Sequence, residues 1–122
     1  MRISFIGAGR VVSWQLERIQ KIKNFEIAGI YDLIPDVREK YNKQGYKTFE
    51  SISSLVKSNP DVISICTPSD SHMPVFMELY QLCKEGQVIT IEKPTFLKLS
   101  DFNAVKEAII KKRLNIFPVF QN

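Results

Sequence analysis

From its second residue to its last, the chain alternates between short apolar runs and longer segments whose apolar residues recur at helical spacing. Ile3-Ser4-Phe5-Ile6 reads as a strand. Gly7-Ala8-Gly9 ends it, and Val11, Val12, Leu16, Ile19 and Ile22 then mark one face of a helix. Phe25 to Tyr31 predicts a second strand, Ile34-Pro35-Asp36 opens a polar helix to about Lys43, and Tyr46 to Phe49 predicts a short edge-like strand. Ser51 to Ser58 reads as a short helix, and Asn59-Pro60-Asp61 as a turn. Val62 to Cys66 is almost continuously apolar, as in a parallel strand covered on both faces. The segment Thr67-Pro68-Ser69-Asp70-Ser71 breaks that strand and offers caps for a helix from His72 to Lys84, which stops at Gly86. A strand from Val88 to Ile91, a helix from Ser100 to about Arg113 capped by Ser100 or Asp101, and a strand starting at Asn115 and running to Phe120 complete the series. Such strict alternation predicts an α/β domain with a doubly wound, six-stranded parallel sheet.

With 122 residues, 44% of them hydrophobic and 25% charged, the chain has material for one core and reads as a single domain over 1–122. No apolar stretch approaches the roughly 20 residues of a membrane span, and the start lacks the pattern of a signal peptide. The expected location is therefore the cytoplasm, with no membrane partner. Cys66 and Cys83 form neither a CxxC pair nor a metal-ligand spacing, and read as free buried thiols with no metal site. The net charge of +4 raises the question of nucleic acid. The lysines at Lys21–Lys23 and Lys111–Arg113 fall at expected helix ends, where they complement the helix dipole, and are not interleaved with aromatics. A solvated surface, with no nucleic-acid partner, is the expectation.

Three motifs carry chemistry. The first is Gly7-Ala8-Gly9-Arg10-Val11-Val12 between a strand and a helix. Gly7 permits the tight turn, Gly9 lets backbone approach a pyrophosphate, and the helix amides at Arg10 and Val11 favour negative charge. Val12 stands where a third glycine often serves helix–strand packing. Asp32 follows the second strand, 20 residues beyond Val12, where a carboxylate holds the ribose hydroxyls of NAD and repels a 2′-phosphate. The same residue could instead cap the turn before Pro35. Arg38 is placed to contact the adenine or a 2′-phosphate; the acid favours NAD over NADP. The second motif is Thr67-Pro68-Ser69-Asp70-Ser71-His72, after the strand that adjoins the first in this fold and facing the glycines across the crevice. The third is Glu92-Lys93-Pro94 at the end of the fifth strand, where a lysine supplies a proton donor and a positive charge. Taken alone, that pair reads equally as surface charge before a loop proline.

Together the three motifs resemble the Gfo/Idh/MocA oxidoreductases, which include glucose–fructose oxidoreductase and inositol dehydrogenases. That family pairs a glycine-rich loop with a Thr-Pro loop followed by histidine and with a Glu-Lys-Pro motif; Ser69 stands where it often has asparagine. The resemblance spans essentially the whole chain. It implies a Rossmann-type dinucleotide-binding domain, with Lys93 contacting a substrate hydroxyl or the nicotinamide and Glu92 positioning it. Both would then border the cofactor as well as the reaction centre. It implies that Thr67 and Pro68 line the cofactor cleft. His72 fits either the cofactor side or a structural hydrogen bond at a helix start.

In that family an antiparallel-sheet domain follows the sixth strand and supplies most of the substrate pocket and the general base. This chain reaches Gln121 and Asn122 where that domain would begin, so the expectation is the nucleotide-binding half of an NAD(P)-dependent dehydrogenase. Its substrate would be a secondary alcohol of a sugar, sugar nucleotide or polyol, bound only with the second domain. A stand-alone NAD(H) module, sensing redox state or docking to a partner without catalysis, is the alternative, and an oligomer is compatible with either. Retention of Glu92 and Lys93 favours the enzyme half.

Overall fold

A computed structural model of the chain describes residues 1–92 and 98–118, with backbone alone for Arg10 and Pro118. The strands are β1 (Arg2–Ile6), β2 (Glu26–Tyr31), β3 (Thr48–Phe49), β4 (Val62–Ile65), β5 (Val88–Ile91) and β6 (Asn115–Pro118). The helices are α1 (Arg10–Ile19), α2 (Pro35–Lys43), α3 (Ile52–Lys57), α4 (His72–Leu82) and α5 (Leu99–Lys112), with a 3-10 turn over Ser69–Ser71. All strand pairs are parallel, in the order β3-β2-β1-β4-β5-β6. The chain thus starts at the centre, winds outward to β3, returns to lay β4 beside β1, and winds outward the other way. The reversal opens a crevice at the carboxyl ends of β1 and β4, the place where doubly wound sheets bind ligands.

The pleat divides the core in two. Ile3, Phe5, Val12, Leu16, Ile30 and Tyr41 pack on the α1 and α2 side. Ile6, Ile63, Ile65, Ile89 and Ile91 pack with Leu55, Phe76, Leu79 and Val105 on the α3, α4 and α5 side. Each such fully buried side chain contributes about 1.5–3 kcal/mol of transfer free energy, which makes these two layers the principal source of stability. Gly29 in β2 has a packing reason as well: a Cβ there would overlap the Phe49 ring on β3.

Element order matches the alternation in the sequence, and the ends differ for local reasons. α1 stops at Ile19 rather than Ile22, because residues 20–25 form a turn in which Asn24 takes φ +74°. Lys21–Lys23 therefore lie beyond the helix, and Arg18 is the base in its last turn. α4 ends at Leu82, because Cys83 turns to extended backbone. The Ser71 hydroxyl donates to the Pro68 carbonyl instead of capping α4. α5 begins at Leu99, one residue early, which places Ser100 and Asp101 inside its first turn rather than at the cap. The strand expected to reach Phe120 is described to Pro118.

Candidate functional site

Gly7 sits at the centre of the crevice. It has φ +92°, and a Cβ there would come within 2.7 Å of the Thr67 nitrogen and 2.8 Å of the Cys66 carbonyl carbon. Both constraints demand glycine, since its neighbours are backbone and cannot yield. The amide of Gly7 donates to the Tyr31 carbonyl (2.8 Å), that of Cys66 to the Ile6 carbonyl (2.8 Å), and that of Glu92 to the Ile65 carbonyl (3.0 Å). These bonds carry the ladders one step past the strands. The ends of β2, β1, β4 and β5 therefore meet in one row.

Gly9 differs from Gly7 in what constrains it. It takes the N-cap position of α1 with extended backbone, is exposed, and would meet no atom within 4 Å if it carried a Cβ. No described side chain caps α1, and its first turn carries no acidic residue. The first amides of a helix lack intrahelical partners and carry the positive end of its dipole. This end is therefore suited to a phosphate, and the open space at Gly9 fits close approach of a pyrophosphate to backbone. Val11 lies half-buried in the first turn; the Arg10 side chain lies outside the described part of the chain.

Asp32 is tied to the glycine loop. One carboxylate oxygen accepts from the Ala8 amide (2.9 Å) and the other from the Ile34 amide (2.9 Å). The turn-capping role and a place beside the loop therefore coexist in one side chain, and each oxygen retains a lone pair for a further donor. Arg38 does not pair with that carboxylate. Its Nη1 donates to the Asp32 carbonyl (2.7 Å) and the Leu33 carbonyl (3.3 Å), which holds the guanidinium next to the same turn.

Across from Gly7, Thr67 and Pro68 begin the loop after β4. Thr67 Oγ1 is buried with no hydrogen-bond partner among the described residues. An orphaned hydroxyl costs about 1–3 kcal/mol, and beside the glycine loop it matches a site that expects a polar ligand. His72, 1% exposed, sits at the start of α4 with its Nε2 2.8 Å from the Thr67 carbonyl. A carbonyl only accepts, so Nε2 carries the proton, and the ring braces the loop from beneath. The histidine thus acts on the crevice through Thr67.

The ends of β4 and β5 bear a polar array. Ser64, Cys66, Thr90 and Glu92 alternate with the buried isoleucines and so point to the α1 side of the sheet. Thr90 Oγ1 donates to Ser64 Oγ (2.7 Å), which lies 3.4 Å from Cys66 Sγ. Burial pushes the Cys66 thiol up to about 12; the Ser64 hydroxyl opposes this and the nearby Glu92 charge adds to it. Glu92, 8% exposed, accepts a hydrogen bond on Oε1 from Gln15 Nε2 on α1 (2.5 Å). Gln15, Ser64 and Thr90 fall outside the three sequence motifs. Gln15 had one signal, a polar residue between Val12 and Leu16 on the border of the buried stripe. Lys93 and Pro94 lie outside the described residues. A hollow of about 510 Å³, walled by Ser69 and Asp70 of the loop after β4, by Met73, Pro74 and Met77 of α4 and by Lys98 and Asp101, involves none of the glycine-loop residues.

A parallel sheet in this order, with a helix that no described side chain caps after a glycine loop and an acid at the end of β2, defines a dinucleotide-binding domain. Residues 1–120 match the family model described as an oxidoreductase family with NAD-binding Rossmann fold, GFO_IDH_MocA, and the chain belongs to this family. It is 26% identical over 103 residues to glucose-6-phosphate 3-dehydrogenase of Bacillus subtilis, covering 80% of this chain and 29% of that protein. To myo-inositol 2-dehydrogenase of Thermotoga maritima it is 29% identical over 124 residues, covering 98% and 36%. The WlbA dehydrogenase of Bordetella pertussis, solved with NADH and UDP-GlcNAcA, superposes with a TM-score of 0.84 at 25% identity, covering 97% of this chain and 36% of that one. The chain thus spans about a third of the length of these relatives. No described helix is long and apolar enough to cross a membrane.

Proposed function

We propose that the crevice between β1 and β4 binds NAD(H), and that the chain is the nucleotide-binding half of an oxidoreductase acting on a secondary alcohol of a sugar, sugar nucleotide or polyol. The observation that carries this is the α1 N-terminus: uncapped by any described side chain, open at Gly9, and flanked by a carboxylate fixed to the same loop. The α1 amides hold the pyrophosphate. The free lone pairs of Asp32 take the ribose hydroxyls and disfavour a 2′-phosphate, which sets NAD ahead of NADP. Arg38, anchored at the carbonyls of Asp32 and Leu33, borders the adenine side. Thr67 Oγ1 and Pro68 form the opposite wall.

A bound nicotinamide would supply the hydride acceptor or donor. The residues at the β5 end do the rest. Glu92 is held in place by Gln15, and the next residue, Lys93, offers an ammonium to hold the substrate oxygen and stabilise charge developing on it. Two of the relatives are dehydrogenases of a sugar phosphate and of an inositol, which supports the substrate class. Both are about three times as long as the aligned segment. We therefore assign substrate enclosure and the general base to a further domain of the kind those relatives have room for.

The single tryptophan, Trp14, lies exposed on α1 and provides the test. Titration with NADH while exciting Trp14 should give saturable energy transfer to the dihydronicotinamide in the micromolar range. Unchanged Trp14 emission at millimolar NADH, with no binding heat, would refute the assignment.

A further inference from the structure

α1 lies on the β1–β2 side of the sheet, yet one of its side chains reaches the far side of the crevice. Val12 and Leu16 are buried in the core beneath the helix, while Gln15 between them spans β4 to meet Glu92 at the end of β5. The two residues are 77 apart in sequence. Glu92 is almost wholly buried, and a buried carboxylate without a donor is costly. A cation at position 15 would satisfy Glu92 and cancel its charge. An amide satisfies one oxygen and leaves the charge available to a cationic neighbour.

The same helix that carries Gln15 presents its open N-terminus five residues earlier, at Arg10. A helix turn is rigid on this scale, so any shift of α1 toward a ligand phosphate moves Gln15 with it. We infer that Gln15 is a positioning residue: it fixes the Glu92 carboxylate relative to the phosphate-binding end of α1, so that the cofactor cradle and the end of β5 move as one unit. This rests on the NAD(H) reading above, and the experiment separates the two.

The experiment is an NADH titration of the full chain followed by amide NMR, on wild type, Gln15→Leu, Gln15→Ala and Gln15→His. In wild type, NADH shifts the Ala8 to Val11 amides together with the Gln15 side-chain amide and the Glu92 backbone amide. In Gln15→Leu the loop amides still respond, with affinity changed by less than about threefold, while the Glu92 response falls by about half or more. Gln15→Ala does the same without added apolar bulk, and serves if the leucine variant does not fold. Gln15→His, titrated at alkaline pH so that the imidazole is neutral, keeps an N–H donor and restores the Glu92 response. A Glu92 response equal to wild type in both donorless variants overturns the inference and leaves the NAD(H) reading standing. Absence of any shift in wild type overturns the NAD(H) reading, and the inference with it.

Discussion

The carboxylate of Asp32 accepts a hydrogen bond from the amide of Ala8 across 2.9 Å, fastening the end of β2 to the glycine loop that follows β1. Its other oxygen accepts from Ile34, so one side chain shapes two turns. Asp32→Ala removes both acceptors and leaves two amides to find water. We expect a loss of about 1–3 kcal/mol in urea denaturation, with the cooperative transition retained. Asp32→Asn keeps one acceptor but points an amide donor at a second N–H, and falls between the alanine variant and wild type.

The two fingerprint glycines are predicted to fail differently. Gly7→Ala forces a Cβ against the backbone of Cys66 and Thr67 at a positive φ, and should cost about 3 kcal/mol or more, or prevent folding. Gly9→Ala meets no atom and should leave the melting temperature nearly unchanged. If a pyrophosphate lies against this backbone, the same methyl costs NAD(H) affinity by about tenfold or more. Thermal melts paired with NADH titration of each variant distinguish the two kinds of glycine.

Gly29 offers a purely structural control. Gly29→Ala drives a methyl into the Phe49 ring and should destabilise by about 1–3 kcal/mol. Shortening the ring in Gly29→Ala/Phe49→Leu should recover part of that loss. Urea denaturation of the two single variants and the double variant measures the coupling. Equal, additive losses would contradict the packing account.

Cys83 is buried and Cys66 half-buried, and the two thiols set an alkaline limit. Burial pushes Cys83 up, and Cys66 from 9.0 to about 12. The folded value lies above the unfolded one, so the contribution of Cys66 is fully present below about pH 9 and is lost as pH climbs toward 12. Iodoacetamide at pH 8 should leave Cys66 unmodified in the folded chain and alkylate it in urea, as read by mass spectrometry. Rapid alkylation without urea would contradict the desolvation of this sulfur.

Most of the architecture was legible because the two periodicities, two for strands and 3.6 for helices, switch cleanly at Gly7, Asp32, Thr67 and Glu92. Those four places are also where the candidate site lies, since ligands gather at strand carboxyl ends in this fold. Helix ends were less legible. The stop at Ile19 depends on Asn24 taking a left-handed conformation, which asparagine tolerates but does not announce. The Gln15–Glu92 bond was not legible at all. It depends on which face of α1 turns toward β5, and a pairing 77 residues apart leaves no local pattern. The double duty of Asp32 escaped for a related reason. Spacing marks it as a ribose ligand, whereas its bond to Ala8 exists only once β1 and β2 are paired.

We propose the crevice as an NAD(H) site that discriminates by the carboxylate of Asp32. The decisive measurement is calorimetric titration of the chain with NAD and with NADP, alongside folded Asp32→Ala. Wild type should bind NAD in the micromolar range and NADP about tenfold (1.4 kcal/mol) more weakly, and the variant should lose NAD binding. A folded wild-type chain that binds neither nucleotide, or binds NADP as tightly as NAD, would contradict it.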